Sequence, residues 1–268
     1  MYPISFSSYQ FFHNCPFAFK NKYLLGNRVS LPAPAAERGT KIHDELEAYM
    51  IAPVLDPKVD PKVDPSIPPE ALHFYSQLRD IRDAKRQGHD LVLVEGEWGF
   101  DADWHPAPWK DCVIRGKLDC IVISHDGSQA RVIDYKTGKR IYNEIKHGLQ
   151  IQLYVLFAFL RYPDLEQISG ELWYIDLDQI INEKFTREDV PKILQHWQEN
   201  IEEVQTAYSQ DCFPPKSNAH SCKWCEYSCH IIRRKPNVVR GTGLCAEDAL
   251  TDNITLSLES LEKDIFGE

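Results

Sequence analysis

The N-terminal stretch of the chain has apolar residues at the spacing of an α-helix. Ser7 and Ser8 precede the apolar-rich stretch 9–23, and serine is a preferred residue at helix N-termini. The pattern therefore predicts a capped helix over this stretch. Cys15 lies either within that helix or at a break made by Pro16.

A second helix is predicted over about 35–50, followed by an irregular segment. Its apolar stripe comprises Ile42, Leu46 and Tyr49. His43 lies on the flank of that stripe. The next residues, 53–69, are dense in proline and contain a DPKV repeat, so they can sustain neither a helix nor a sheet ladder. We expect an exposed, semi-rigid excursion there.

A third helix is predicted to begin at Pro69 and to end at Gly88. Proline is favoured in the first turn of a helix, and glycine is favoured just after the last turn. The apolar stripe between them comprises Leu72, Tyr75, Leu78 and Ile81.

The centre of the chain alternates strand and helix patterns. Strands are predicted over 91–100, 112–123, 130–137 and 168–177, and helices over about 142–160 and 187–208. The second and third strands are joined across a turn at 125–127, and Thr186 caps the last helix. The fold class is therefore α/β, with a sheet flanked by helices.

Length and composition favour one domain. With 268 residues and 43% hydrophobic content, the chain can bury one sizeable core. We expect a single domain over 1–240, with a cysteine-rich segment at 212–230 and an acidic tail at 241–268. No apolar run is long enough to span a membrane, and the N-terminus lacks the pattern of a signal peptide, so we expect a cytoplasmic protein.

The net charge limits how the chain can bind nucleic acid. The formal charge is −10, which excludes a surface coated with basic residues. Any contact with DNA must therefore be local. A basic cluster is formed by Lys136, Lys139, Arg140 and Lys146, although an ordinary solvated face is an equally good interpretation of it.

Two neighbouring strands carry acids in otherwise apolar surroundings. Asp134 and Lys136 point to the same face, because side chains alternate along a strand. Asp119 lies on the preceding strand, where a hairpin could bring it beside Asp134. Half-buried acids are unfavourable unless paired, and Mg²⁺ or Mn²⁺ would stabilise them; a salt bridge between Asp119 and Lys136 is the alternative. Such a cation supports phosphodiester hydrolysis, in which Lys136 could orient or deprotonate the attacking water.

Eight cysteines need an explanation other than disulfides in a cytosolic protein. Cys112 and Cys120 lie in apolar strands, where burial accounts for them. Cys222, Cys225 and Cys229 crowd into a polar segment instead, which favours metal ligation.

Taken in order, these motifs resemble the RecB-like branch of the PD-(D/E)XK nucleases. The residues that carry the resemblance span 7–229, and they are similar in particular to phage exonucleases and CRISPR-associated nucleases that hold a 4Fe-4S cluster. The matching motifs are Cys15-Pro16, Arg38-Gly39-Thr40 with His43, Gly116-Lys117-Leu118-Asp119, Asp134-Tyr135-Lys136-Thr137-Gly138, Gln150 with Tyr154, and the terminal cysteines.

The resemblance implies a restriction-endonuclease-like core, a central mixed sheet flanked by helices, with a two-carboxylate metal site. It implies that His43, Asp119 and Asp134 bind Mg²⁺ or Mn²⁺ together with the main-chain carbonyl of Tyr135. It makes Lys136 the catalytic lysine.

The resemblance also assigns a role to two residues of the long helix. Gln150 and Tyr154 are four residues apart and so share one helix face. They are expected to contact substrate phosphate and to orient the lysine. Glu95 and Glu97 share one strand face, and we assign them no role beyond support of the metal ligands.

The cysteine cluster is expected to join the N- and C-terminal segments. The resemblance implies that Cys15 is the fourth ligand of a 4Fe-4S cluster with Cys222, Cys225 and Cys229. The last two cysteines are closer in sequence than in many relatives, so the fourth ligand could instead be His230, Cys212 or Cys245. Zinc is an alternative to iron, and a reduced cluster without metal is the third.

Three functional hypotheses follow. The first is a metal-dependent DNA exonuclease in end processing or recombination, possibly phage-encoded, with DNA as its partner and an oligomer or a helicase as further options. The second is a catalytically silent nuclease-like DNA-binding or scaffold module. The third is a regulatory protein whose N- and C-terminal segments are joined by a zinc ion. The joint presence of Asp119, Asp134 and Lys136 favours the first.

Overall fold

The computed structural model describes most of the chain in two compact units. Described are residues 2–27, 34–52, 67–138, 144–216, 222, 225–227, 231–233, 238–240 and 245. One unit comprises residues 1–32 and 202–268, and the other comprises residues 33–201. Most of the proline-rich segment 53–69 and the tail 241–268 lie outside the described residues, so the predictions for them stay predictions.

The first unit begins with two short helices. α1 spans Phe6–Asn14 and α2 spans Pro16–Phe19, followed by a π-helical turn at Lys20–Leu24. They are separate because Cys15 is extended before a proline that opens the next helix. The break at Pro16 is thus confirmed.

The cap of α1 differs from the prediction. Ser5 is the N-cap residue, and its hydroxyl accepts the Ser8 N–H at 3.3 Å while Ser8 Oγ accepts the Ser5 N–H at 2.8 Å. This reciprocal capping box places the helix start before Ser7, because Ser8 acts as the third helical residue and not as the cap.

Aromatic packing joins this helical segment to the chain after residue 202. The rings of Phe19 and Phe213 stack with centroids 6.3 Å apart, and Phe12 contacts Phe19 edge-on. The Phe17 N–H also donates to the carbonyl of Pro214. Distant parts of the sequence therefore form one small core in this unit.

The second unit is built on a mixed six-stranded sheet in the order β2-β1-β3-β4-β5-β6. Its strands are β1 (Leu91–Phe100), β2 (Pro106–Ala107), β3 (Ile114–Ile123), β4 (Gln129–Lys136), β5 (Gln167–Tyr174) and β6 (Gln179–Thr186). β4 and β5 are parallel, and all other neighbours are antiparallel. A two-stranded hairpin, β7 (Ile231–Arg233) and β8 (Val238–Arg240), belongs to the first unit.

Helices pack on both faces of the six-stranded sheet. They are α3 (Pro34–Ile51), α4 (Tyr75–Gln87) and α5 (Glu144–Arg161), with a 3₁₀ helix at Pro69–Phe74 before α4; α6 (Val190–Ser209) follows β6, and its residues from 202 on belong to the first unit. α3 and α4 pack on one face in a cluster that includes Leu46, Ile133 and Trp173. α5 packs on the other face, where Ile151 and Val155 lie close to Gly170. The α/β fold with a mixed sheet flanked by helices is confirmed.

The stripe predicted for the third helix is wrong at its first position. Leu72 is 47% exposed, whereas Ala71 and Phe74 are buried. The first turn is a 3₁₀ helix with about three residues per turn, which shifts the buried positions relative to an α-helix. The predicted end at Gly88 is confirmed, since this residue takes φ 65°.

Four strands among the described residues were not predicted, namely β2, β6, β7 and β8, and β6 is the longest of them. β6 pairs with β5 along its whole length, although nearly all of its side chains are exposed. An edge strand held by backbone hydrogen bonds needs no alternating apolar pattern, so periodicity did not reveal it. Thr186 does cap the following helical segment, in a capping box with Asp189.

No helix among the described residues is long and apolar enough to cross a membrane.

Candidate active site

The sheet opens between β3 and β4 at the level of the predicted acids. The ladder between these strands runs from the Ile123–Ala130 pair to the Cys120–Ile133 pair. Beyond it, the Tyr135 N–H donates to Asp119 Oδ2 at 2.7 Å. A side chain thus satisfies a donor that a continued ladder would have used. This fork brings Asp119 and Asp134 to one place.

A matching irregularity occurs on the other side of β3. The β1–β3 register is continuous except at the level of Glu95 and Asp119. Glu95 has φ 52°, which is uncommon for a residue other than glycine. We interpret this conformation as the local reason why the ladder skips that pair.

Three candidate metal ligands converge at the fork. His43 on α3 lies with Nδ1 3.2 Å from Asp119 Oδ1. One ligand atom from each of His43, Glu95 and Asp119 lies within 4.8 Å of the other two. His43 reaches this position because its neighbours Ile42 and Leu46 bury α3 against the sheet.

The electrostatics of the fork reflect buried negative charge. The side chains of Asp119 and Asp134 are only 10% and 4% exposed. Burial, and after it the charge of Asp134, raises the pKa of Asp119, against the opposing effect of its hydrogen bonds from His43 and the Tyr135 N–H. Burial lowers the pKa of His43, but the hydrogen bond and charge of Asp119, with the charges of Asp134 and Glu95, outweigh this and raise it.

Lys136 is held in place by a chain of polar contacts. Its ammonium contacts Asp134 Oδ2 and donates to Gln150 Oε1 at 2.7 Å. Gln150 Nε2 in turn donates to the Tyr154 hydroxyl at 3.0 Å. Burial raises the pKa of Tyr154, so this hydroxyl stays protonated. Gln150 and Tyr154 therefore lie in one hydrogen-bonded chain with Lys136, and their expected roles in orienting the lysine and contacting substrate stay predictions.

A small residue on β3 allows this arrangement. A Cβ on Gly116 would lie 2.7 Å from Tyr154 Cε1 and 2.9 Å from Phe157 Cε2. Only glycine therefore permits α5 to approach β3 this closely, and that approach sets the position of Gln150.

The donor set at the fork fits a divalent cation. Carboxylate oxygens suit Mg²⁺ and Mn²⁺, and an imidazole nitrogen is a further ligand that Mn²⁺ accepts. Asp134 Oδ2 is buried and accepts no hydrogen bond from the described residues, although the Lys136 ammonium is in contact with it. A cation would offset the repulsion between the two aspartates. The described contacts do not place the carbonyl of Tyr135, which stays a prediction.

The alternative salt bridge between Asp119 and Lys136 does not form among the described residues. Asp119 instead accepts from His43 and from the Tyr135 main chain, and Lys136 contacts Asp134.

Sequence reasoning overlooked Glu95 as a ligand candidate. It joins the site directly, and its carboxylate pairs with Lys117 at 2.5 Å. Mainly through this hydrogen bond, the pKa of Lys117 is raised. The available signal was register: Glu95 lies on the strand that pairs with β3, opposite Asp119.

Four cysteines lie near one another in the first unit. Burial raises the pKa of the Cys225 thiol to about 11, and the charges of Cys15, Cys222 and Cys245 add to this. None of the four forms a disulfide among the described residues. Among the described residues, no three of their sulfurs lie within 4.8 Å of one another. Cys229 and His230 lie outside the described residues.

Two of the alternative ligands differ in position. Cys245 is buried, and its N–H donates to the carbonyl of Tyr227 at 3.0 Å, two residues beyond Cys225. Cys212 is exposed. In the second unit, Cys112 and Cys120 are buried, as predicted.

A mixed α/β sheet that opens to bring two aspartates and a lysine together defines a class of site suited to phosphodiester hydrolysis. Residues 3–230 match the PD-(D/E)XK nuclease superfamily. The chain belongs to this superfamily of nucleases.

Comparison with individual proteins adds little to this assignment. A chain from Eubacterium rectale named as a putative exonuclease is 13% identical, with 88% of this chain and 91% of that chain covered and a TM-score of 0.47. The protein SSO0001 is 15% identical, with coverages of 84% and 82% and a TM-score of 0.34. No curated protein matches the chain. Similarity at this level carries no argument about activity.

Proposed function

We propose that this nuclease is a divalent-metal-dependent deoxyribonuclease that acts as an exonuclease in DNA end processing or recombination. The observation that carries the proposal is the fork between β3 and β4. It gathers Asp119, Asp134 and Lys136, with His43 and Glu95 beside them. A silent module would have no need of a lysine oriented in this way.

The residues at the fork divide the work of hydrolysis. His43, Glu95, Asp119 and Asp134 would hold Mg²⁺ or Mn²⁺, which neutralises phosphate charge and activates water when bound. Gln150 Oε1 accepts from Lys136 Nζ and so fixes the direction of the ammonium. From there Lys136 would orient the attacking water and donate to a phosphate oxygen.

The experiment uses end-labelled linear DNA and covalently closed circular DNA with Mg²⁺, Mn²⁺ or a chelator. We expect linear DNA to be shortened from its ends only with metal, and circular DNA to survive. Asp119→Ala, Asp134→Ala and Lys136→Ala should each abolish cleavage with an unchanged circular dichroism spectrum, because the apolar strands around them remain. Cleavage in the presence of chelator would contradict metal dependence.

Two further results would revise the proposal in different ways. Cleavage of circular DNA would retain the nuclease but remove the exonuclease assignment. DNA binding without cleavage under any metal would support the silent DNA-binding module instead.

We also propose that the thiols of the first unit hold a 4Fe-4S cluster through Cys15, Cys222, Cys225 and Cys229. Cys15 and Cys222 lie close enough to Cys225 for their charges to act on its thiol, which supports a metal centre shared by these residues. Burial near the Cys225 loop makes Cys245 a better substitute ligand than the exposed Cys212.

Anaerobic purification tests this metal assignment. Brown protein that contains iron and acid-labile sulfide is expected. Colourless protein with one zinc and no iron would replace the cluster with a zinc site that uses the same thiols.

A further inference from the structure

Asp176, in the 3₁₀ helix Ile175–Leu177 after β5, joins two segments that flank the site. Its carboxylate accepts both terminal nitrogens of Arg38, from Nη1 to Oδ2 at 2.8 Å and from Nη2 to Oδ1 at 2.7 Å. Asp176 Oδ2 also accepts the Gly138 N–H at 2.5 Å. One side chain therefore ties the first turns of α3 to the turn that follows Lys136.

The same two segments approach closely beside this contact. A Cβ on Gly39 would lie 2.9 Å from Thr137 Oγ1, so α3 meets the end of β4 at near-contact distance. His43 is four residues after Gly39 and lies on the same side of the helix. A shift of α3 at this contact would therefore move His43 relative to Asp119 and Lys136.

We propose that Asp176 and Arg38 form a positioning pair that fixes α3 against the end of β4 and so sets the distance between His43 and the two aspartates. The inference rests on the proposed function, because it assigns the pair to the geometry of the metal site. Neither residue is proposed to touch metal or substrate.

The geometry of the pair suits this task better than a purely stabilising one. A bidentate arginine–carboxylate contact fixes orientation as well as distance. The Asp176 side chain is 9% exposed and that of Arg38 is 41% exposed, with Glu70 as a second acid 3.5 Å from the guanidinium. The hydrogen bond that Arg38 donates to Asp176 is also the main cause that raises the pKa of Arg38, so the guanidinium stays charged.

The test measures metal affinity directly in Asp176→Asn, Arg38→Gln and the double variant. Binding of Mn²⁺ alone is followed by electron paramagnetic resonance without DNA. Lys41→Gln is the matched control, because Lys41 lies on the same helix and, within the part of the chain that the structure describes, pairs on the surface with Glu45 alone at 3.5 Å. We expect Mn²⁺ to bind roughly tenfold more weakly in each single variant, as is typical when a partner that orients a ligand is lost. The double variant should be little worse than either single one, since both remove the same contact.

Steady-state cleavage separates positioning from general damage. The metal concentration for half-maximal rate should rise in both single variants, while the KM for DNA stays as in wild type and in Lys41→Gln. Wild-type Mn²⁺ affinity in Arg38→Gln with a folded circular dichroism spectrum would overturn the proposal. A variant with weaker metal binding, a raised KM for DNA and a lowered melting temperature would overturn it as well. Such a pattern indicates a contact that only stabilises the fold.

Hydrogen exchange keeps the two proposals distinguishable. If wild type binds no Mn²⁺, the proposed function fails. The pair is then judged by the exchange of the Gly138 amide and of the α3 amides around His43. Faster exchange there in both Asp176→Asn and Arg38→Gln, but not in Lys41→Gln, supports the positioning of α3, and unchanged exchange refutes it.

Discussion

Replacing Gly116 with alanine tests how closely α5 must approach the sheet. The added methyl would lie 2.7 Å from Tyr154 Cε1 and 2.9 Å from Phe157 Cε2. The optimal separation of two carbons is ~3.5–4.0 Å, so the ring of Tyr154 or the whole helix must move away. Overpacking of this kind destabilises a core by roughly 1–3 kcal/mol.

A compensating effect reduces that loss. Alanine lowers the conformational entropy of the unfolded chain, which stabilises the protein by about 0.4–1 kcal/mol where the backbone tolerates it. We therefore expect Gly116→Ala to lower the free energy of unfolding by a net amount of about 0–2.6 kcal/mol. Cleavage should fall further than stability explains, because Tyr154 holds Gln150 and Gln150 holds Lys136.

Gly148→Ala, in the helix α5 that Gly116 faces, provides a control in which the expected change in stability has the opposite sign. Nothing lies within 4 Å of a Cβ at Gly148, so the helix gains propensity without a clash. This variant should be more stable by about 0.5–1 kcal/mol and should cleave like wild type. Urea unfolding followed by circular dichroism compares the two. Equal stability of the two variants, or a Gly116→Ala protein more stable than wild type, would refute the close approach of α5.

Three other predictions follow from the described contacts. His43→Ala should weaken Mn²⁺ binding more than DNA binding, and raised Mn²⁺ should restore part of the cleavage; identical metal titrations for variant and wild type would remove His43 from the ligands. Burial, with Lys136 and Lys146 nearby, lowers the pKa of His147 to about 4, below its value of about 6.5 in the unfolded chain. The unfolded chain therefore takes up a proton first, and the folded state loses stability as the pH falls from about 6.5 to about 4. His147→Gln should flatten this pH dependence in urea titrations, and an unchanged slope would contradict it. Cys15→Ser should lose metal content and melting temperature together, whereas full retention of both would exclude Cys15 as a ligand.

Local patterns were enough to locate the main elements and the chemistry on them. The helical stripe of Ile42, Leu46 and Tyr49 predicted α3 to within a residue or two of its observed ends. β1 was predicted with its observed ends. The alternation of strand side chains placed Asp134 and Lys136 on one face, and the two are in contact. These predictions succeeded because an element with one buried face has apolar residues at the fixed period of a helix or a strand.

Local patterns failed where backbone geometry or pairing departed from the regular period. The 3₁₀ turn at Pro69–Phe74 shifted the buried positions and exposed Leu72. The edge strand β6 is held by backbone bonds to β5, which leave no mark on side-chain polarity. The positive φ of Glu95 could not be predicted either, because this position is not a glycine or asparagine, the residues that usually take such an angle.

The sequence by itself determined the α/β class, the order of most elements and the residues that could carry hydrolysis. Only the tertiary structure decided how these residues meet. The fork depends on one hydrogen bond from the Tyr135 N–H to Asp119, and the position of α3 depends on a pair, Arg38 and Asp176, that are 138 residues apart. Periodicity records which side of an element is buried, but it does not record which distant segment lies against it, because that depends on register, backbone dihedral angles and the packing of both partners at once.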